Sequence, residues 1–396
     1  MKKKLRAGII GSGFAATFHY AAIQSVTSVD IDIVGVFSST KENRERFAEQ
    51  RGIPAIDSLD ELIDASDIVH ICTPVSTHEQ ILTLALERDT FPIAEKPLTG
   101  FCGDGSDSFR GDLYSKSQAL QAVNDSISRI LEAEHKSKAR ILYAENWVYA
   151  PTVQKEREII EKSGAQILWI KGEQSHSGSA AVASGFWRFA GGGVASCNAI
   201  HPLSAALYLK RKEGLARAGD PILPRSVSAR IHDITRLPDY RDQGHLRCEY
   251  HDTEDLAQIH VEFEDGTVAD IVASAIVLGG VNNHLEIVAN NHRTLCNINP
   301  NNTMQTYNPR EEYLQDVYVV EKAGTKQGWL NPSPAEYYST GYPQEIEAFY
   351  RTAAYSDPLE SDSILAAEAV STIFSAYLSA EQDGKKVTIE RRPYDR

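Results

Sequence analysis

Gly8-Ile9-Ile10-Gly11-Ser12-Gly13-Phe14-Ala15-Ala16 decides how this chain is read. The apolar run from Leu5 to Ile10 suits a buried strand, and Thr17-Phe18-His19-Tyr20-Ala21-Ala22-Ile23 suits a helix. Gly11 would make the tight turn between them, and Gly13 would let a pyrophosphate approach the backbone. Ala16, in place of a third glycine, keeps the side chain small where helix and strand pack. The phosphates would rest on the unpaired N–H groups of the helix start, at Phe14 and Ala15. An ordinary glycine-rich turn has the same letters, so the weight falls on the segments downstream.

At 396 residues the chain exceeds one average core, and two domains are expected. Hydrophobic residues at 42% and charged residues at 24% are those of a globular protein that stays in water. With 40 basic and 54 acidic side chains the formal charge is −14, which argues against nonspecific binding to nucleic acid or anionic membrane. Lys2 to Lys4 read as a solubilising start to the first strand. The glycines interrupt the apolar run behind them, so a signal peptide is not expected. No apolar run reaches the roughly 18 residues of a membrane helix. Cysteines 72, 102, 197, 248 and 296 are scattered and lack C-x-x-C spacing, which fits a reducing cytoplasm and no structural zinc.

The first third alternates strand-like and helix-like segments, the pattern of a parallel sheet with crossover helices. Ile31 to Phe37, Asp67 to Cys72, Phe91 to Glu95 and Ile141 to Ala144 read as strands. Charged or amphipathic helices are expected from Lys41 to Arg51, Glu79 to Arg88 and Lys116 to Lys136, and Ser58 with Glu61 makes a capping box. Residues 100–112, rich in Gly, Ser and Asp, form a long loop, either covering a site or interface or mobile at the surface. The rest changes character. Gln166 to Gly172, Gln258 to Phe263, Thr267 to Ile276 and Leu285 to Ala289 alternate as in a mainly antiparallel sheet, with Glu264-Asp265-Gly266 as a hairpin turn. Helices are expected around Gln344 to Ala354 and from Ser363 to Glu381, with Gly384 as a C-cap. The fold class is therefore α/β: a Rossmann dinucleotide-binding domain over 1–145, then an α+β domain over 146–396 with a large, open, mainly antiparallel sheet.

Cofactor choice is argued from the end of the second strand. A carboxylate there would bind the ribose 2′-hydroxyl of NAD. Instead the chain has Phe37-Ser38-Ser39-Thr40-Lys41, with Arg44 a turn later. Ser38, Ser39 and Lys41 would tolerate a 2′-phosphate, which tips the balance from NAD towards NADP. Arg44 reads equally well as part of a solvated helix face.

Cys72-Thr73-Pro74-Val75-Ser76-Thr77-His78 lies after a strand, at the carboxyl edge where ligands of open α/β sheets bind, and Ala94-Glu95-Lys96-Pro97-Leu98 comes next. With the glycine turn, these segments resemble the Gfo/Idh/MocA oxidoreductases. The resemblance extends to Asn146–Pro151, Gly191-Gly192-Gly193, His201 and Gln344-Glu345-Ile346-Glu347-Ala348-Phe349. It implies that Thr73, Pro74, His78, Glu95 and Lys96 meet the cofactor, with Glu95 and Lys96 beside the nicotinamide and Pro97 in a cis peptide aiming the lysine. An ammonium next to an oxidised nicotinamide has reason to exchange a proton with a substrate hydroxyl. Family members commonly carry Asp four residues after the third glycine and His four residues further on. Here Cys197 stands at the Asp position, His201 is kept, and a later family Asp is Ser204. Cys197 cannot replace the carboxylate, so Asn198 or water substitutes, the substrate differs, or dehydrogenation is weakened.

His201 is the expected general base, since imidazole titrates near neutral pH. Asn146, Tyr149, His176, Trp187, Arg188, Cys197 and Asn198 are candidate contacts to a polyhydroxylated ligand, although Tyr149, His176, Trp187 and Arg188 suit a domain interface equally well. One His and one Cys are too few for a metal, and His245 and His251 sit in a polar loop. The resemblance implies an NAD(P)-dependent dehydrogenase acting on a CH–OH group of a sugar, cyclitol or related polyol, as a homodimer or homotetramer. Two alternatives stay open: a redox-assisted lyase or glycosidase with recycled cofactor, and a regulatory protein that binds NAD(P) without turnover.

Overall fold

The computed structural model of the chain describes residues 2–179, 181–247, 249–299 and 304–391, so Cys248 lies outside the described residues. The first part runs β1 (Lys4–Ile10), α1 (Phe14–Ile23), β2 (Asp30–Phe37), α2 (Lys41–Arg51), α3 (Leu59–Asp64), β3 (Ile68–Ile71), α4 (His78–Glu87), β4 (Phe91–Glu95), α5 (Lys116–Lys136) and β5 (Leu142–Ala144). The five strands are parallel in the order β2-β1-β3-β4-β5. The side chains of β3 are all buried, His70 included, which accounts for the absence of polar–apolar alternation. Parallel pairing brings the carboxyl ends of β1, β3, β4 and β5 to one edge, and with them Gly11, Cys72, Lys96 and Glu145.

Ser58 caps α3 by accepting from the Glu61 N–H at 3.3 Å, as the box predicts. The 100–112 loop is tied down. Its Phe101 and Phe109 cluster with Tyr114, the Gly111 N–H donates to Asp252 at 2.9 Å, and Arg188 donates to Asp107. It is an ordered join to the second half of the chain.

That half continues with α6 (Asn146–Tyr149), α7 (Pro151–Ser163), β6 (Ile167–Ser175), α8 (Trp187–Ala190), α9 (Val194–Cys197), α10 (Ile200–Ala218), β7 (Pro224–His232), β8 (Leu256–Phe263), β9 (Val268–Ser274), β10 (Asn282–Ala289), β11 (Arg293–Asn297), β12 (Thr306–Asn308), β13 (Gly328–Leu330), α11 (Glu336–Ser339), α12 (Tyr342–Tyr355), α13 (Ser363–Glu381) and β14 (Val387–Thr388). Seven strands form a sheet in the order β11-β10-β6-β9-β8-β7-β14, antiparallel at every pairing except β6 with β9. The turn at 264–266 joins β8 to β9 with Gly266 at φ +83°.

One sheet face is apolar and lies under α10 and α13: Ala257, Ile259, Val261, Ala269, Ile271, Leu285 and Ile287 are buried there. The opposite face carries polar pairs such as His260–Asp270 and Lys171–Glu286. Helix α13 is also the exception to the expected absence of long apolar runs. It has the length and composition of a membrane span, yet 83% of its most apolar window is buried, between α5, α10 and β7. A helix packed on several sides reads as apolar all round. The Gly384 N–H returns to the Ser379 carbonyl at 2.8 Å and closes the helix end.

Packing between α10 and the sheet depends on Gly172. A Cβ there would lie 2.7 Å from the Pro202 Cβ and 3.0 Å from Ile271 and Leu285. Gly172→Val is therefore expected to destabilise the fold by about 1–3 kcal/mol through overpacking, read as a lower urea midpoint with an unchanged slope.

Candidate functional site

The cradle at the end of β1 has the features a dinucleotide requires. Gly11 has φ +111°, and a Cβ on it would come 2.4 Å from the Cys72 carbonyl oxygen, so only glycine fits between β1 and β3. Its N–H donates to Phe37 O at 2.8 Å. Gly13 is the extended N-cap of α1, no side chain caps the helix, and a Cβ added there would meet nothing within 4 Å. The α1 N-terminus is thus open, without an acidic side chain in its first turn, and its unpaired N–H groups suit a pyrophosphate.

At the end of β2, Ser38 Oγ accepts from Ser12 Oγ at 3.0 Å, and Lys41 is exposed with Glu45 at 3.7 Å. Arg44 departs from the solvated-face reading. It is buried, donates to the Ser38 carbonyl at 2.9 Å and pairs with Asp57, so it supports the turn from within.

A cleft of about 590 Å³ opens beside this cradle, within the size range of small-molecule sites. Phe14, Ala15 and Thr73 line it, together with Glu95, Lys96, His176, Cys197, Asn198 and His201. The Lys96–Pro97 peptide is cis. Lys96 Nζ donates to the Cys197 carbonyl at 2.7 Å, linking the β4 edge to α9. His201 Nδ1 is 2.6 Å from Glu145 Oε1, and Trp147 stacks on the imidazole at 5.9 Å. A carboxylate at Nδ1 holds the proton on that nitrogen and leaves Nε2 as an acceptor. The Cys197 thiol, raised by burial and therefore protonated, donates to Gly192 O at 3.8 Å. Asn198 and His176 share a hydrogen bond of 3.0 Å.

Beneath the cleft lies a buried proton network. Glu95 Oε1 is 2.9 Å from His19 Nε2, and His19 Nδ1 is 2.8 Å from His70 Nδ1. His70 Nε2 is 3.0 Å from the Tyr350 hydroxyl. Burial would discharge His19, but contacts with Cys72 and Glu95 raise its pKa well above the usual value. Burial and the His19 charge push His70 far down. These directions fit an arrangement in which charged His19 donates from both nitrogens and neutral His70 accepts at Nδ1 and donates from Nε2, which satisfies every contact. Burial works against charge on Glu95 too, but His19, Lys96 and His201 keep its pKa low. Glu345 is the counterpart. It is fully buried, neither oxygen has a hydrogen-bond partner among the described residues, and burial next to Glu95 and Glu145 raises its pKa strongly.

Several expected contacts lie elsewhere. Asn146 is buried and donates to Thr340 O at 2.7 Å, and the Tyr149 hydroxyl is bound to Ser361. Trp187 packs on Tyr377 and donates to Phe101 O at 2.8 Å, while Arg188 binds Asp107. None of these four lines the cleft, because each fastens one segment to another. His78 is buried with its nitrogens 2.9 and 3.0 Å from the Pro97 and Thr73 carbonyls, so it braces the two turns from behind. Pro74 and Ser39 are on the cradle's strand ends but outside the cleft lining.

Residues 5–107 match the family model described as an oxidoreductase family with an NAD-binding Rossmann fold. Over this stretch the chain is similar to the Gfo/Idh/MocA family. In sequence, this chain is 32% identical over 91 residues to glucose-6-phosphate 3-dehydrogenase of Bacillus subtilis, covering 23% of this chain and 25% of that protein. It is 34% identical over 98 residues to UDP-N-acetylglucosamine 3-dehydrogenase of Acidithiobacillus ferrooxidans, covering 24% and 29%. The alignments thus span under a third of these relatives. Fold similarity extends over the whole chain. GenD2 from gentamicin A biosynthesis, solved in complex with NAD, superposes with a TM-score of 0.78 at 20% identity, covering 99% of this chain and 98% of that one. Apo scyllo-inositol dehydrogenase from Lactobacillus casei gives 0.71 at 15% identity, covering 98% and 99%.

Around the cleft, Glu145, His19 and Glu345 are residues that the sequence reading gave no role in the site. Glu145 could have been found by position, since it comes directly after β5 at the same carboxyl edge as Lys96. Glu345 was visible only as a letter in the late helix.

Glu345 supplies a test. Between the ordinary carboxyl pKa near 4.5 and its raised folded value, the unfolded chain releases a proton that the native state retains, so stability falls as pH rises. Glu345→Gln lacks this loss. Its melting temperature relative to the parent is expected to climb steadily from pH 5 to pH 8, measured by differential scanning fluorimetry. A constant or shrinking difference would mean that Glu345 is ionised.

Proposed function

We propose that this protein is a nicotinamide-dinucleotide-dependent dehydrogenase that oxidises a CH–OH group of a sugar, cyclitol or related polyol. The observation that carries the reading is that Lys96 and His201 line the same cleft as Phe14 and Ala15, the first residues after the open glycine turn. When bound, the cofactor supplies a hydride acceptor; the protein's residues manage position and protons. Gly11, Gly13, Phe14 and Ala15 would seat the pyrophosphate, and Ser38, Ser39 and Lys41 the adenine ribose. Thr73 and Glu95 lie on the strand ends beside the nicotinamide position, with Pro74 and His78 shaping that edge. Lys41 is the exposed cation at the ribose end that favours NADP over NAD.

His201, held by Glu145 at Nδ1, takes the hydroxyl proton at Nε2. Lys96 sits close enough to the same cleft wall to steady negative charge as it grows on the substrate oxygen. His176, Asn198 and the Cys197 main chain offer hydrogen bonds to further hydroxyls. Glu145 acts through His201 as a positioning residue, in the way a carboxylate orients a base in other enzymes.

The remaining assignments belong to the same proposal. The domain boundary falls between Glu145 and Asn146, and the second part assembles homo-oligomers through the outer sheet face, where Leu168, Trp169 and Leu295 are exposed. A cytoplasmic setting agrees with the four described cysteines being unpaired.

The dehydrogenase is tested by following absorbance at the nicotinamide band with NAD and with NADP against sugars, inositols, sugar acids and glycosides. Lys96→Ala and His201→Ala are each expected to lower kcat on an active substrate by about 10²–10⁴-fold. Glu145→Gln is expected to lower kcat by about 10²-fold with KM nearly unchanged, since it misplaces the base without touching the substrate. Glycoside cleavage without net reduction of cofactor would replace this reading with the lyase one. Tight cofactor binding without any turnover would leave a regulatory protein.

A further inference from the structure

The Gly191-Gly192-Gly193 turn takes no part in the hydride and proton transfers, yet something requires glycine there. The requirement comes from Asp252-Thr253-Glu254-Asp255, the segment between His251 and β8. All four side chains are buried, although three would carry charge in water. A carboxylate leaves water only where donors meet it, and here each residue finds its partners in a different segment. Asp252 accepts the Gly111 N–H of the 100–112 loop at 2.9 Å and the Trp187 N–H at 2.7 Å. Thr253 donates to the Ser184 carbonyl at 3.0 Å. Asp255 accepts from the N–H groups of Ile234 and Thr235 at 2.9 and 2.7 Å.

Glu254 takes the glycine turn. Its Oε2 accepts the Gly193 N–H at 3.0 Å, and its Oε1 accepts the Ala195 N–H at 2.9 Å and the Tyr377 hydroxyl at 2.7 Å. Its main-chain carbonyl accepts the Val194 N–H at 3.2 Å. The consecutive N–H groups at the start of α9, which have no acceptor within that helix, thus all end on one residue. Tyr377, from α13, adds a second acceptor for Gly193 at 3.1 Å. The space is correspondingly tight. A Cβ on Gly193 would lie 2.5 Å from the Glu254 carboxyl, and one on Gly192 would lie 2.5 Å from the Tyr377 hydroxyl. Burial lifts the Glu254 pKa to about 7, against the pull of the Tyr377, Ala195 and Gly193 donors.

Helix α9 ends at Cys197, whose carbonyl receives Lys96 at 2.7 Å, and His201 follows in the first turn of α10. Neither Glu254 nor Tyr377 lines the cleft. We propose that Glu254 is a positioning residue, which with Tyr377 fixes the glycine turn and α9 so that the Cys197 carbonyl meets the Lys96 ammonium and His201 faces the cleft. The consequence for turnover rests on the dehydrogenase reading; the placement of α9 does not.

The test uses Glu254→Gln and Tyr377→Phe at pH 8, where the Glu254 carboxylate prevails. Glutamine keeps the shape but turns an N–H₂ towards groups that also donate, so a contact is lost. The first readout needs neither cofactor nor substrate: the rate at which N-ethylmaleimide alkylates Cys197, followed by mass spectrometry of its peptide. That rate is expected to rise about five-fold or more, the equivalent of one lost hydrogen bond, with Cys72 in the first domain unchanged. NADH affinity, read by fluorescence, should stay at the parent value, while kcat on an active substrate falls about 10- to 100-fold. An unchanged Cys197 rate, or Cys72 accelerating equally, overturns the proposal, and so does faster alkylation with kcat intact. Should Glu254→Gln fail to fold, Tyr377→Phe, which deletes one hydroxyl, decides by the same readouts. Faster Cys197 alkylation in a protein whose parent turns over no substrate keeps the placement of α9 and removes the dehydrogenase.

Discussion

The contact between His201 and the buried Glu145 carboxylate, 2.6 Å long, is the constraint on which the site depends. A carboxylate removed from water needs a partner with a proton to give, and an imidazole next to it is fixed in tautomer and direction. Glu145 comes from the end of β5 and His201 from the first turn of α10. The second crossing contact, Lys96 to the Cys197 carbonyl, has the same form, with β4 on one side and α9 on the other. Each half of the chain therefore supplies what the other half's buried polar group lacks. Separating them would leave a carboxylate, an imidazole and an ammonium exposed to an apolar boundary, which makes the cleft and the interface one structure.

The floor of the cleft obeys the same rule with protons as the adjustable quantity. Glu145 and Glu345 are buried and Glu95 is half-buried beside them, so three neighbouring negative charges there would be strongly unfavourable. Glu95 is matched by His19 and Glu145 by His201. Glu345 has no cation within hydrogen-bond reach among the described residues, so it keeps its proton. The His19–His70–Tyr350 chain then spreads the His19 charge away from the cleft through neutral donors. Such networks hold a single geometry only when each member is satisfied. The contacts leave none of the four groups from Glu95 to Tyr350 without a partner.

How much of this was legible in the sequence depended on whether a residue's role was local. The glycine turn, the strand ends at Thr73 and Lys96, and the capping box on α3 are set by their immediate neighbours, and the structure has them where periodicity and turn chemistry put them. The two apolar patterns also came through, continuous in the parallel sheet and alternating in the antiparallel one. Side chains whose partners are distant in sequence could not be read that way. Tyr149 looked like a ligand contact because aromatic residues suit sugars, but Ser361, over 200 residues away, takes its hydroxyl. Trp187 and Arg188 are claimed by the 100–112 loop, whose composition suggested mobility as readily as order. Lys322 has no motif at all. Its place in the cleft lining opposite Lys96 and His201 comes from the fold, which no spacing rule reveals.

Cys197, standing where the family commonly has Asp, has a physical account. A carboxylate at that position could serve two needs: an acceptor for the Lys96 ammonium and a charge near the histidine. In this chain the acceptor is a main-chain carbonyl, which Cys197 supplies as well as any residue, and the charge is Glu145, reached from a different strand. The thiol is protonated and turned to the Gly192 carbonyl, so it adds neither charge nor nucleophilicity to the cleft.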